Sequence, residues 1–451
     1  MAKPLQHQTY YTQQIQILLN KIYGRSKLQD SMLERAIHYF NHQSFVTTDE
    51  SLSENQLELD KFERINRYQH LLQICLEIIE LTEGDNFEDS NRKSAKLLGT
   101  IQLLSPTEGR KRAANNEFCK PLYKAVLSLR LLDRLLLDTE ITDHHIANTL
   151  AEFPDYSFTE FDSNLHRRVI EQIKIPLLMA SLLQDIGSYH NEAQEILTGS
   201  DSKTNPYRTL NEQERKQLLI INSKQTLKYI SDGLNVPFYS GNSKEERDQF
   251  VADEQIKFQF LQQLIKSSYK PKNSVGNLLK VPQIYTSIIF STRDNYNYKV
   301  IPKVYQVLNK NAELGVCSQK IVDALYQITG MFPQGYGVIY MPTDEGCYEY
   351  AIVNRLYPSK PDEPLCRIAT RKLTFIGYGH NITVNKTRNL YFPQMAKKIA
   401  LLSKERLNEI LELLASNYKE RQELDLMPRC WHANEYFSVK SNQKLWNKMD
   451  M

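Results

Sequence analysis

Residues 177–191 read LLMASLLQDIGSYHN, and the fold turns on how this stretch is read. Leu177–Leu183 is an apolar helical turn or two. It ends in Gln184-Asp185-Ile186-Gly187, where hydrogen-bonding side chains meet a glycine. A second signpost is Leu325–Met341, LYQITGMFPQGYGVIYM, where a helical pattern stops at Gly330 and Tyr, Val and Ile take over.

Upstream, the helical pattern continues back through Ile173 and Val169 to His166. Residues 1–150 read as helices. Apolar residues recur at helical spacing over Tyr10–Tyr23, Asp30–Phe40, Gln56–Leu81 and Lys93–Leu104. Thr82–Asn91 is acidic and turn-like. Ser105-Pro106-Thr107-Glu108 predicts the start of a helix running to Asp138. Pro154–Asn164 and Leu197–Thr209 read as loops. Asn211 caps a helix over Leu210–Ile230, and further helices cover Glu245–Ser268, Leu278–Arg293, Lys299–Leu308 and Ser318–Thr329.

Beyond Gly330, Tyr336–Met341, Tyr348–Leu356, Leu365–Ala369 and Leu373–Ile376 predict a small antiparallel sheet. Pro393–Tyr418 predicts a last helix. The tail holds both tryptophans, Trp431 and Trp446, which predicts that it docks on the body or on a partner.

The expected fold class is mainly α. It divides into an N-terminal helical domain (1–150), a helical bundle (151–340), a small antiparallel β subdomain (341–392) and a C-terminal helix and tail (393–451).

Composition narrows the function classes. A chain of 451 residues with 16 Gly buries its own core and favours helix. A net charge of +3 with 24% charged residues makes no electrostatic case for nucleic acid. The six cysteines form no CxxC, which fits free thiols in a reducing cytoplasm. The N-terminus has no apolar signal region, and no window approaches the about 20 apolar residues of a membrane span. The expected location is cytoplasmic. No P-loop, dinucleotide-binding, serine-hydrolase or zincin pattern is present.

Two tempting motifs have plain readings. Gly109-Arg110-Lys111-Arg112 reads as a solvated basic face rather than a phosphate site. In Asp143-His144-His145, Thr142 or Asp143 reads as an N-cap. Neighbouring helical residues point about 100° apart, so the two His cannot share one metal.

From about Pro176 to Met341 the order of signals resembles the HD-GYP family of HD-domain phosphohydrolases. LLQDIGS at Leu182–Ser188 stands where that family has an apolar helix ending in His-Asp-Ile-Gly-Lys. TLNEQE at Thr209–Glu214 resembles its Leu-Thr-x-Glu-Glu, with Asn222 near the place of an isolated His. VPQIYTS at Val281–Ser287 resembles its Val-Ala-Asp-x-Tyr-Asp-Ala, and GMFPQGYGV at Gly330–Val338 its Gly-x-Tyr/Phe-Pro-x-Gly-x-x-Val. The resemblance implies a helical bundle in which His and carboxylate ligands hold divalent metals that activate water against a phosphodiester.

The departures weigh on function. Where the family has its paired His, Lys, isolated His and later Asp, this chain has Gln184, Ser188, Asn222 and Gln283, and only Asp185 of the dyad persists. No His occurs between His190 and His380, and an amide oxygen is a weak ligand for a transition metal. These positions are therefore a vestigial site. The expectation is a bacterial signalling or regulatory protein without catalysis, with no cofactor, acting through a protein partner or a nucleotide.

Two alternatives stand beside it. One is a metal-dependent phosphohydrolase, a cyclic di-GMP phosphodiesterase with a rearranged site. It would use iron or manganese held by Asp185, His166, His190 and Asp162. The other is a helical interaction scaffold unrelated to HD proteins. A vestigial pocket could accept an anion through Arg167, Arg168, Lys174 or Lys224.

Overall fold

A computed structural model describes residues 8–24, 30–46, 54–138, 143–151, 163–271, 274–342, 349–369, 381–395, 405 and 430–446. The chain is mainly helical with one small antiparallel sheet. The helices are α1 (Tyr10–Tyr23), α2 (Met32–Val46), α3 (Glu54–Thr82), α4 (Phe87–Leu104), α5 (Arg112–Leu137), α6 (His144–Ala151), α7 (Ser163–Val169) and α8 (Ile175–Leu183). They continue with α9 (Asn191–Thr198), α10 (Glu212–Gly233), α11 (Lys244–Tyr269), α12 (Asn277–Ile289), α13 (Val304–Glu313) and α14 (Gln319–Thr329). After the sheet comes α15 (Asn434–Ser438). Among the described residues no helix is long and apolar enough to cross a membrane.

α8 is the hub. All its residues are buried, and it packs against α3, α5 and α11. Leu177, Leu178, Leu182 and Leu183 are fully enclosed. Complete burial of such a side chain stabilises by roughly 1.5–3 kcal/mol. One buried apolar cluster runs from Ile15 on α1 to Cys430 in the tail, continuous across residues 150 and 340.

Local chemistry sets the helix ends. Thr9 caps α1, and Ser243 caps α11. Asn211 caps α10, as its sequence predicts, and Glu214 completes a reciprocal capping box. Asp143 caps α6, accepting from the His145 and Ile146 amides at 3.0 and 3.3 Å. The two His diverge as expected. His145 Nε2 meets the Gln172 carbonyl oxygen at 2.8 Å, and His144 Nδ1 meets Asn148 at 3.1 Å.

Several local expectations are corrected. α4 begins at Phe87, inside the segment read as a turn, because Asn86 caps it and Glu88 and Asp89 sit favourably in its first turn. α5 begins only at Arg112. Ser105 instead ends α4, and Gly109, at φ +91°, breaks the backbone between them. Arg112 is not simply solvated: its guanidinium donates to the Ser291 and Arg293 carbonyls at 2.8 and 2.7 Å.

The helix expected from His166 to Leu183 is interrupted by a π-helical turn at Ile170–Lys174. The helix expected over Leu278–Arg293 stops at Ile289. The one expected over Lys299–Leu308 opens as a 3-10 turn, Tyr298–Lys303, around Pro302.

The sheet is a meander of β1 (Gly337–Tyr340), β2 (Glu349–Val353), β3 (Leu365–Ile368) and β4 (Asn381–Thr383). Gly337 pairs with Ile352, Val353 with Cys366, and Leu365 with Thr383. The expected strand Leu373–Ile376 lies outside the described residues. So does the expected helix Pro393–Tyr418, apart from Pro393–Met395 and Glu405. Of the six cysteines, Cys75, Cys119, Cys317, Cys366 and Cys430 are buried and in no disulfide, and Cys347 lies outside the described residues.

The glycines of GMFPQG have structural work. Gly330 ends α14 at φ +66°, and a Cβ there would press on Pro358. Gly335, at φ +87°, lets the backbone approach Gly99, whose carbonyl oxygen a Cβ would meet at 2.7 Å. The tail docks on the body. Gln443 accepts from the Thr9 amide and the Thr12 hydroxyl, both at 2.9 Å. Trp446 is buried against Gly99, with Phe437 and Leu445 beside it.

Candidate functional site

Asp185 follows directly on α8, with Gln184 between them, and leads into a 3-10 turn at Ile186–Tyr189. Gly187 sits against α10, where a Cβ would strike the backbone of Asn222 and Thr226, and its amide donates to Thr226 Oγ1 at 3.0 Å. Glycine here allows α10 to close on the turn. α5 and α12 pack on each other, and α5 packs on α8, so side chains of α5 and α12 reach Asp185.

Both carboxylate oxygens of Asp185 are engaged. Lys124 Nζ on α5 lies 2.8 Å from Oδ2, and Gln283 Nε2 on α12 donates to Oδ1 at 2.7 Å. The Lys124 side chain is 2% exposed and that of Asp185 35%. Burial pushes the Asp185 carboxyl up, but the Lys124 ammonium, then Lys120 and the Gln283 hydrogen bond, outweigh it and hold the group below its usual range. Lys120 lies one turn before Lys124 on α5, and Lys280 one turn before Gln283 on α12. Burial lowers both ammonium pKa values, and the Asp185 charge opposes that fall.

The other four positions that the resemblance singles out, Gln184, Ser188, Asn222 and Gln283, join Asp185 in one hydrogen-bonded neighbourhood. Gln184 is buried, donates to Ser268 Oγ at 3.4 Å, and keeps its amide oxygen without a partner among the described residues. Its backbone carbonyl accepts from Asn222 at 3.2 Å, so Asn222 ties α10 to the end of α8. Ser188 Oγ donates back to the Asp185 carbonyl at 2.6 Å and closes the turn.

The other candidates lie in different surroundings. His166 stands by Lys174, Glu83 and Asp133, and burial lowers its pKa. His190 caps α9 through its ring and meets Phe40 edge-on, with Glu192, Lys228 and Lys224 as its charged neighbours. Asp162 lies outside the described residues. Arg167 pairs with Glu171 at 2.8 Å, Arg168 with Asp253 at 3.1 Å, and Lys174 with Glu83 and Asp133 at 2.7 and 2.9 Å. Those three cations are taken up by carboxylates away from Asp185.

The residues around Asp185 do not fit a divalent metal. An ammonium already stands against one carboxylate oxygen, and an amide N–H₂, a donor with no lone pair to offer, stands against the other. Among the described residues no three His, Cys, Asp or Glu side chains group as a metal would require.

A second charged cluster is fully interior. Arg130 pairs with Glu83 and, at 2.9 Å, with Asp133, and Lys174 on the π-helical turn bridges the same two carboxylates. Burial pushes the Glu83 carboxyl up, but Arg130 and Lys174 outweigh it and hold it at about 2. Two cations facing two carboxylates leave this cluster neutral, as its burial demands.

Reading the sequence from the family motifs missed Lys120, Lys124 and Lys280. The signal was present in α5, where Lys124, Arg130 and Asp133 fall among Leu and Val residues that the structure buries. A charged residue inside an apolar helix must find a partner.

No protein-family model, no curated protein and no solved structure matches this chain.

Proposed function

We propose that this protein is a non-hydrolytic regulatory protein, built on a bundle similar to that of HD-domain phosphohydrolases, that works by binding. The observation that carries the reading is the Lys124–Asp185–Gln283 arrangement. In the enzymes that the sequence resembles, an aspartate at the end of this helix serves a metal. Here an ammonium neutralises it, which supplies positive charge without an open coordination position or an activated water. The gathering of Gln184, Asp185, Asn222 and Gln283 from three separate segments supports kinship with that scaffold. The dispersal of His166 and His190 disfavours the rearranged phosphodiesterase.

The test is elemental analysis of freshly purified protein, followed by turnover assays with cyclic di-GMP and a chromogenic phosphodiester in added manganese or iron. The expected result is trace metal and no enzyme-like rate. Near-stoichiometric metal together with turnover abolished by Asp185→Asn would overturn the proposal.

A further inference from the structure

Burial is uneven along α3 and α10. Near the start of α3, Leu59 and Phe62 lie one turn apart and are 66% and 65% exposed. Beside them is Phe238, 67% exposed, with Lys61 Nζ 4.5 Å from the centre of its ring. The first half of α10 is open in the same way, with Leu219 54% and Ile220 59% exposed. Single apolar side chains scattered on a surface need no explanation, but large ones grouped on a helical turn and rimmed by charge mark interaction sites.

The two rims have opposite sign. Around Leu59 and Phe62, α3 carries Glu58, Asp60 and Glu63 against Lys61 and Arg64. The loop that holds Phe238 leads into α11. Its first turns add Glu245, Glu246 and Asp248 against Lys244 and Arg247, and Tyr239 of the loop donates to Glu246. Asp232 and the buried Arg67, which donates to the neighbouring Gly233 carbonyl at 2.7 Å, offset each other. Negative charge is in excess here.

On α10 the excess is positive. Lys216 and Lys224 stand one turn either side of Ile220, Arg215 stands one turn before Leu219, and Lys228 follows; all four are exposed. Glu214 is engaged by Arg208 at 2.6 Å. The opposing carboxylates are then Glu212 and, by His190, Glu192 of α9. Within one chain the two faces cannot meet. The bond from Arg67 to Gly233 pins the end of α10 beside the start of α3, and from Gly233 back to Ile220 the helix runs about 20 Å.

We propose that the Leu219–Ile220 face of α10 in one copy docks on the Leu59, Phe62 and Phe238 face of a second copy, so that the protein associates with itself. The apolar side chains leave water at the centre of the contact, and the opposite rims align the approach. Two different faces meeting in this way either close as a two-fold pair with two such contacts or continue head to tail. The inference goes beyond the reading of the Asp185 site and uses none of the groups that hold that carboxylate.

The experiment is sedimentation velocity of the full chain across the micromolar range, at low and at high salt. One paired variant carries Leu59→Ser and Phe62→Ser, and the other Leu219→Ser and Ile220→Ser. Val439→Ser, at a 51% exposed position on the docked tail, is the control. The parent should associate as its concentration rises, and more weakly at high salt, where the rims are screened. Each paired variant should weaken association at least about tenfold, and Val439→Ser should leave it unchanged. An equimolar mixture of the two paired variants should associate again, because each supplies the face that the other lacks. The altered positions are exposed, so both variants should unfold close to the parent's temperature, which separates lost association from lost folding.

A parent that stays monomeric throughout would overturn the proposal and leave these faces to a different protein. A mixture that associates no better than either variant alone would overturn it too, since the α10 face would then not be the complement of the α3 face.

Discussion

Lys124 and Asp185 form an ion pair at 2.8 Å in which the two partners are unequally placed: the lysine side chain is 2% exposed and the aspartate 35%. Removing either partner therefore has a different consequence. Asp185→Asn leaves an ammonium stranded in the interior, at a cost of about 3–5 kcal/mol. Lys124→Met leaves a carboxylate that still has Gln283 and access to water, at about 1–2 kcal/mol. Urea denaturation of the two single variants and the double variant measures both costs and their coupling. A larger loss for Lys124→Met would contradict this account of the site.

The interior cluster of Glu83, Arg130, Asp133 and Lys174 sets an acid limit. Glu83 ionises at about 2 in the folded chain and near its ordinary 4.5 when unfolded. A depressed folded value contributes stability that is fully present above pH 4.5 and is lost as pH falls towards 2. The contribution is on the order of 3 kcal/mol. Glu83→Gln should flatten the stability profile below pH 4.5, measured as urea midpoints at successive pH values. An unchanged slope would show that other carboxylates dominate.

Kinship with the metal-dependent bundle is testable by restoration. Gln184→His, Asn222→His and Gln283→Asp, combined with Lys124→Met to release Asp185, rebuild the donor types that the resemblance implies. If the segments hold the enzyme geometry, this variant should take up manganese or zinc in near-stoichiometric amount while the parent does not, by elemental analysis after dialysis. A folded variant that binds none would argue for the unrelated interaction scaffold.

The tail is clamped through Gly99, where a Cβ would run into the Trp446 ring. Gly99→Ala is compatible with helix α4 by propensity, since alanine favours helix over glycine by about 1 kcal/mol. Overpacking should outweigh that gain and lower stability by about 1–3 kcal/mol. Loss of tail docking would shift tryptophan emission to the red, and Trp446→Ala in the same chain should abolish the penalty. A Gly99→Ala protein more stable than the parent would place the tail elsewhere.

The residues by themselves determined the helical class, three of the antiparallel strands after Gly330 (not β4), the cap at Asn211 and a cap at Thr142 or Asp143. Each follows from periodicity or from a side chain's reach to its own backbone. They also showed that the His ligands of the resembled family are missing. α4's true start escaped because acidic residues at a helix N-terminus look like a turn when the cap goes unread. The π-helical turn at Ile170–Lys174 escaped because side-chain periodicity barely registers one extra residue. What surrounds Asp185 was decided only by the tertiary structure. Lys124 lies 61 positions from Asp185 and Gln283 lies 98, and nothing local to either helix names its partner. Their meaning arises where α5, α8 and α12 pack. Burial there raises the cost of an unpaired charge, so the partner of each carboxylate is set by which helices meet and not by neighbours in the chain.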